Sequence, residues 1–124
     1  MEEWKTIQSH ADYEASNHGR IRRRVPTRNA RGPQLPAGTI LKGSRASHGY
    51  RQVRLSDGNG HAVDCLVHRL VLEAFYGVPF VGAVGCHING DTADNQLSNL
   101  KWGTQSENVR GSRKPIIARG IVNR

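Results

Sequence analysis

Three polar residues in the last third of the chain have the types and spacing needed for metal-assisted hydrolysis: His87, Asn99 and Asn108. His87 follows a short apolar run, Asn99 opens a second one that ends at Trp102, and Asn108 lies in a segment with a helical pattern. A histidine can take a proton from water near neutral pH, and an amide oxygen can bind a divalent metal ion. The order therefore predicts a β-hairpin followed by a helix, with a general base and a metal ion between them.

The chain is strongly basic, with 18 Lys and Arg against 10 Asp and Glu in 124 residues and a formal net charge of +8. A field of this sign attracts polyanions, and nucleic acid is the leading candidate. No membrane partner is expected, because the chain has no long apolar segment and no basic amphipathic helix. The first residues lack a secretory pattern, so we expect a cytoplasmic location. Charge and polar motif together point to a metal-dependent nuclease.

The arginines that we expect to neutralise DNA phosphates are concentrated in the first half of the chain. One run ends in a turn and a short basic strand, and a later strand alternates basic and apolar residues. These arginines are Arg20, Arg22, Arg23, Arg24, Arg28, Arg51 and Arg54. The alternative for such a cluster is ordinary solvated surface charge.

The segment from Cys86 to Val109 resembles the catalytic segment of phage H-N-H (ββα-metal) endonucleases, most closely the H-N-N variant of free-standing and intron-encoded homing endonucleases. Residues 67–75 resemble the helix before this motif, and residues 13–22 resemble an N-terminal module often attached to such nucleases. The resemblance implies metal-dependent hydrolysis of double-stranded DNA in a bacterial host cell, by nicking or double-strand cleavage. It implies His87 as general base, Asn99 as the brace that orients it, and Asn108 as a metal ligand.

Cys86 departs from the family pattern, which places an Asp or His ligand beside the general base. A thiolate is a poor partner for Mg²⁺, which prefers oxygen. Either the ion is softer, Mn²⁺ or Zn²⁺, or Cys86 is not a ligand and water fills its place around Mg²⁺. His68 and Asp91 could also supply the missing contact. A third outcome is an inactive nuclease that still binds DNA, that is, a non-catalytic basic DNA-binding protein.

The two cysteines also allow the hypothesis of a structural zinc site. Cys65, His68, Cys86 and His87 could form a four-ligand zinc site that stabilises the fold, although the usual Cys-x-x-Cys pairs are absent. A disulfide is not expected in the cytosol. The plainer alternatives are Cys65 as a small buried residue and His68 as a packing or capping residue.

We predict an α+β fold, in which an N-terminal antiparallel sheet and a helix lead into a ββα-metal unit. Residues 1–60 are expected to form a basic β module that contacts DNA, residues 61–112 the nuclease unit, and residues 113–124 a basic tail that could be disordered until it meets DNA. The pattern from Thr104 to Glu107 is a capping box, which predicts the start of the helix carrying Asn108. The target site and the oligomeric state stay open, with a monomer favoured.

Overall fold

Short antiparallel strands and one helix make up the part of the chain that the computed structural model describes, residues 1–26, 35–56 and 61–104. In chain order the elements are β1 (Trp4–Ile7), β2 (His10–Ser16), β3 (Ile21–Arg23), β4 (Ser44–Arg45), β5 (Arg51–Ser56), β6 (Ala62–Leu66), α1 (Val67–Tyr76), β7 (Val84–His87) and β8 (Leu100–Gly103). This mixture of antiparallel sheets and a helix confirms the predicted α+β class. Asn108 and the capping box beyond Thr104 lie outside the described residues, as do Arg28 and the basic tail.

The strands form three small sheets, β1-β2-β3, β4-β5-β6 and β7-β8, and all pairs are antiparallel. Outside these sheets, Ile40 forms an isolated antiparallel bridge with Arg22. Gly38 and Gly43 on either side have φ of +87° and +70°, a conformation that turns the chain before a ladder can extend.

Helix α1 follows β6 directly and covers the sheets with its apolar side. Its buried residues include Val67, Leu70 and Val71, which follow the i, i+3, i+4 spacing of one helix face. The helix ends at Gly77, where a φ of +69° lets the backbone N–H donate to the Glu73 carbonyl oxygen at 2.9 Å. No helix in the described part is long and apolar enough to span a membrane.

One core joins all the sheets to the helix. Its buried members are Ile7, Tyr13, Ala15, Ile21, Val53, Leu55, Val67, Leu70, Val71, Leu72 and Leu100. These side chains come from both sides of residue 60, and the predicted boundary there falls inside the β5–β6 hairpin, whose strands pair from Gln52↔Leu66 to Ser56↔Ala62. The predicted β module and nuclease unit are therefore separate segments of the sequence that share one hydrophobic core.

Helix α1 packs on strand β7 through His68 and Gly85. His68 is only 1% exposed. A Cβ atom built on Gly85 would lie 2.5 Å from His68 Cδ2 and 2.9 Å from His68 Nε2, closer than real contacts allow. Glycine at position 85 is therefore what permits the imidazole to lie against the strand.

Replacing Gly85 by Ala should lower the free energy of unfolding by about 1–3 kcal/mol, the usual cost of forcing an extra methyl group into a packed interior. Denaturant unfolding of the purified variants measures this. In a His68→Ala background the ring is gone, so the same change should cost less. An equal cost in both backgrounds would contradict the contact.

Candidate active site

His87 lies at the end of β7, where the hairpin strand opens into its loop. It is paired with Leu100 of β8, and its ring is partly buried. Its Nε2 lies 2.8 Å from Oδ1 of Asn95, a side chain that is itself buried. With the amide oxygen facing the ring, Nε2 carries the hydrogen and donates it, so the lone pair of the neutral imidazole is on Nδ1. Nδ1 is the atom that can accept a proton.

The surroundings of His87 favour its neutral form. Burial lowers the pKa of His87 below its ordinary value of 6.5, because an imidazolium is poorly solvated there. The hydrogen bond to Asn95 and the charges of Asp91 and Asp94 act in the opposite direction and only partly offset burial. At neutral pH the imidazole is therefore available as a base.

Asn99 ties the hairpin loop together. Its Nδ2 donates to Oδ1 of Asn89 at 3.0 Å and to the Asp94 carbonyl oxygen at 2.9 Å, while its own Oδ1 accepts from the Asn89 N–H at 3.0 Å. Its carbonyl oxygen accepts from the Ile88 N–H at 2.7 Å. Asn99 thus braces the backbone next to His87, and the side chain that holds the imidazole is Asn95.

Asn95 is a site residue that the sequence pattern did not single out. It is held in place by the turn between β2 and β3. A Cβ atom on Gly19 would lie 2.6 Å from the Asn95 carbonyl oxygen, and the Leu97 N–H donates to the Asn17 carbonyl oxygen at 2.9 Å. Nothing in the local spacing of the polar loop distinguishes Asn95 from its neighbours, because its position depends on a contact 76 residues away along the chain.

Two further rings, Tyr50 and His68, lie beside His87. The ring centroid of His68 is 4.6 Å from that of His87, and the ring centroid of Tyr50 is 5.8 Å away. Burial lowers the pKa of His68 well below 6.5, with a further contribution from the nearby His87, so His68 is neutral. Burial also raises the pKa of Tyr50 to about 12.

The zinc alternative is wrong for this chain. Cys65, His68, Cys86 and His87 all lie in the described residues, where no group of three or more His, Cys, Asp and Glu side chains could hold a metal ion. Neither cysteine forms a disulfide bond. The buried Cys86 thiol donates to the Val84 carbonyl oxygen at 3.8 Å, and the His68 imidazole faces Gly85 instead of the thiols.

A hard divalent ion is not accommodated by the described residues alone. The predicted ligand Asn108 is outside them, and Cys86 offers only a buried thiol. The nearby carboxylates already accept hydrogen bonds within the loop, Asp91 from the Ala93 N–H and Asp94 from Asn89 Nδ2. Sulfur and imidazole donors do not suit Mg²⁺, which prefers oxygen ligands.

Arg23 is not displayed on the surface as its place in the basic run suggested. It is 7% exposed, and its guanidinium donates to the hydroxyl oxygen of Tyr13 at 2.9 Å and to the carbonyl oxygens of Val25 and Pro26 at 2.9 and 3.3 Å. On a β-strand, alternate side chains point to opposite faces, so the middle of a basic run can turn inward. Arg23 therefore supports the fold.

The other described arginines of the predicted set are partly or fully exposed. All five have a partner: Arg20 pairs with Glu2 at 2.6 Å, Arg22 with Glu14 at 2.8 Å and Arg54 with Asp64 at 3.1 Å, while Arg24 donates to the Ala11 carbonyl oxygen and Arg51 to that of Lys42. Exposed pairs of this kind are weak and exchange readily for other anions. A cavity of about 350 Å³ is bordered by Arg20, Lys42 and Arg51 and reaches Asn95.

Family models match both halves of the chain. The HNH endonuclease model matches residues 65–110, and the NUMOD4 motif matches residues 2–56. The first match includes His87, Asn99 and Asn108, and the second includes the β2–β3 turn that contacts Asn95.

Named relatives agree with these matches. DNA endonuclease I-HmuI of Bacillus phage SP01 is 30% identical over 122 residues, which are 98% of this chain and 61% of the relative. An HNH endonuclease of Acanthamoeba polyphaga mimivirus is 34% identical over 111 residues, 86% of this chain and 25% of the relative. The chain therefore spans about three fifths of the first relative and a quarter of the second.

A solved structure concerned with DNA binding and cleavage by the HNH homing endonuclease I-HmuI has a TM-score of 0.70 and 29% sequence identity, covering 97% of this chain and 66% of that chain. Motif, fold and relatives thus agree along the length of the sequence. The chain belongs to the HNH endonuclease family and carries an N-terminal NUMOD4 motif.

Proposed function

We propose that this chain is a DNA endonuclease that hydrolyses phosphodiester bonds, with His87 as its general base. The observation that carries the proposal is the His87 imidazole itself, neutral, tied through Nε2 to Asn95 and left with a proton-accepting Nδ1 at the mouth of a braced loop. The phage relative is named a DNA endonuclease, which supports the choice of substrate. Homing-type action on double-stranded DNA, as a monomer in the cytoplasm of a bacterial host, belongs to the same proposal.

The proposed chemistry uses one proton transfer and one displacement. Nδ1 of His87 takes a proton from water, the water oxygen attacks phosphorus, and the bond from phosphorus to the leaving oxygen breaks. Asn95 keeps Nε2 occupied, which aims Nδ1 at the water. Asn99 holds the loop that carries both groups.

HNH nucleases generally use a divalent metal ion. Such an ion, when bound, neutralises charge on the phosphate and eases departure of the leaving oxygen. We propose Mg²⁺ or Mn²⁺ as that ion, with Asn108 as a ligand and water in place of the carboxylate that Cys86 lacks. Zn²⁺ would be favoured only if the Cys86 thiolate were a ligand.

We propose that residues 1–60 supply most of the contacts to DNA and residues 61–112 the chemistry. Exposed arginines on β2–β3 and β5 support the first part, since each can exchange its carboxylate or carbonyl partner for a phosphate. The cavity edged by Arg20, Lys42 and Arg51 leads to Asn95, which supports a path for the DNA backbone toward His87. Arg28 belongs to the same proposal by its place in the sequence alone.

A second candidate function is DNA binding without cleavage. Cys86 favours it, because a buried thiol stands beside the base where the family pattern has a metal ligand. Cleavage assays separate the two candidates.

Supercoiled plasmid incubated with the purified chain should become nicked or linear when Mg²⁺ or Mn²⁺ is present and should stay intact in EDTA. The reason is that the leaving oxygen and phosphate charge need a divalent ion. Gel electrophoresis of a time course gives the result. Plasmid and phage DNA that bind the protein but stay intact with every ion would establish the second candidate instead.

His87→Ala should reduce the cleavage rate by about 100-fold or more, the usual size of a general-base contribution. DNA affinity should change little, because it comes mainly from phosphate contacts elsewhere. Asn95→Ala should reduce the rate by roughly 10-fold, as expected for a residue that orients a reacting group. His10→Ala, on β2, is the matched control; a wild-type rate in His87→Ala would remove this residue from the mechanism.

Arginines on the surface and Arg23 should respond differently to truncation. Arg51→Ala and Arg24→Ala should each flatten the log–log salt dependence of DNA binding by about 0.9 per lost phosphate contact. Arg23→Ala should leave the slope unchanged and lower the melting temperature, because its bonds are internal. Salt titrations of binding and thermal unfolding measure both effects; a changed slope in Arg23→Ala would show that this guanidinium reaches DNA.

A further inference from the structure

Three aromatic rings meet at the candidate base. His87 lies against His68 at 4.6 Å between centroids with a 45° interplanar angle, and against Tyr50 at 5.8 Å with 49°. Tyr50 and His68 are themselves stacked at 5.4 Å and 26°. Tyr50 is 4% exposed and His68 1%, whereas His87 reaches partly into solvent. The His87 imidazole therefore packs against two buried rings, those of Tyr50 and His68.

Each of the two inner rings is fixed by contacts that do not involve His87. Tyr50 ends a tight turn in which the Ala46 N–H donates to the Tyr50 carbonyl oxygen at 2.6 Å. Thr92 docks this turn on the hairpin loop by donating to the His48 carbonyl oxygen at 2.9 Å. His68, in the first turn of α1, is pressed against the backbone of Gly85. The rings thus form a rigid surface.

Tyr50 and His68 contact the base through their rings. His68 Nε2 is buried without a well-aligned hydrogen bond and faces the Gly85 backbone. The Tyr50 ring lies 5.4 Å from the His68 ring and 5.8 Å from the His87 ring between centroids. Both residues therefore contribute ring contacts to the site.

We propose that Tyr50 and His68 are positioning residues that hold the His87 ring at the rotation needed for proton transfer. One hydrogen bond to Asn95 fixes a single atom of the imidazole, and the ring can still swing about that bond. The two inner rings remove this freedom, because the ring cannot turn without colliding with them. The inference rests on the proposed function, in which the held ring is the general base.

The test compares Tyr50→Leu, which removes the flat ring, with Tyr50→Phe, which keeps it, in the full chain. Tyr50→Leu should lower kcat for plasmid cleavage by about 10-fold or more, with KM for DNA nearly unchanged, because misorientation affects the chemical step. Tyr50→Phe should recover most of that loss. Should Tyr50→Leu not fold, Tyr50→Met replaces it, since a flexible thioether fills the volume without a ring.

A second readout is nuclear magnetic resonance of the imidazole nitrogens in ¹⁵N-histidine-labelled protein. His87 in the wild type and in Tyr50→Phe should give one set of signals with the hydrogen on Nε2. Tyr50→Leu should keep the hydrogen on Nε2 but give broadened His87 signals, because the ring then swings about its bond to Asn95. This measurement needs no cleavage, so it tests the positioning role even if the chain proves to bind DNA without cutting it.

Leu55→Ala is the matched control. Leu55 lies in the same strand region but five residues beyond Tyr50, about 16 Å along an extended chain, and its side chain is in the main core. It should lower thermal stability without altering kcat or the His87 signals. An equal loss of kcat in Leu55→Ala and Tyr50→Leu at matched stability would overturn the proposal. A Tyr50→Phe variant as impaired as Tyr50→Leu, or unaltered His87 signals in Tyr50→Leu, would overturn it as well.

Discussion

The missing side chain at Gly85 is the constraint on which the site depends. Because β7 presents bare backbone there, the His68 ring can lie directly on the strand, and Leu72 closes in beside it. Helix α1 is anchored in the main core by Leu70 and Val71. The His68 ring therefore lies between helix α1 and strand β7, and it determines how closely the hairpin packs on the helix. His87 lies two residues after Gly85 on the same strand, so this contact also determines its position.

At His87, burial and the nearby carboxylates have opposite effects on the imidazole pKa. The chain is strongly basic, and an added positive charge on His87 would be opposed by burial. Asp91 and Asp94 offset part of that cost without contacting the imidazole, since their oxygens cap turns of the loop. His87 is therefore neutral before proton transfer. The negative charges of Asp91 and Asp94 then stabilise the imidazolium that forms during the transfer.

Local features were predictable, and contacts between distant segments were not. Strand β5, which alternates basic and apolar residues, and the helix from Val67 were predictable, because hydrophobic spacing acts over a few positions. Asn99 was predicted because it stands between His87 and Asn108 in the order of the H-N-N motif. Contacts of Asn95 and Tyr50 with His87, and the inward turn of Arg23, arise when segments far apart in sequence dock on one another. No spacing rule encodes such docking, so these roles emerge only from the folded chain.

The turn between β2 and β3 has a consequence for how this protein could change over evolution. Gly19 leaves no space between its own backbone and Asn95, and Asn17 accepts a hydrogen bond from Leu97. The segments matched by the NUMOD4 and HNH models therefore meet at the residue that holds His87. An exchange that joined this nuclease segment to a foreign N-terminal part would have to bring a glycine in the same turn, or the transplanted loop would lose its support. The contact therefore favours inheritance of the two segments as a pair.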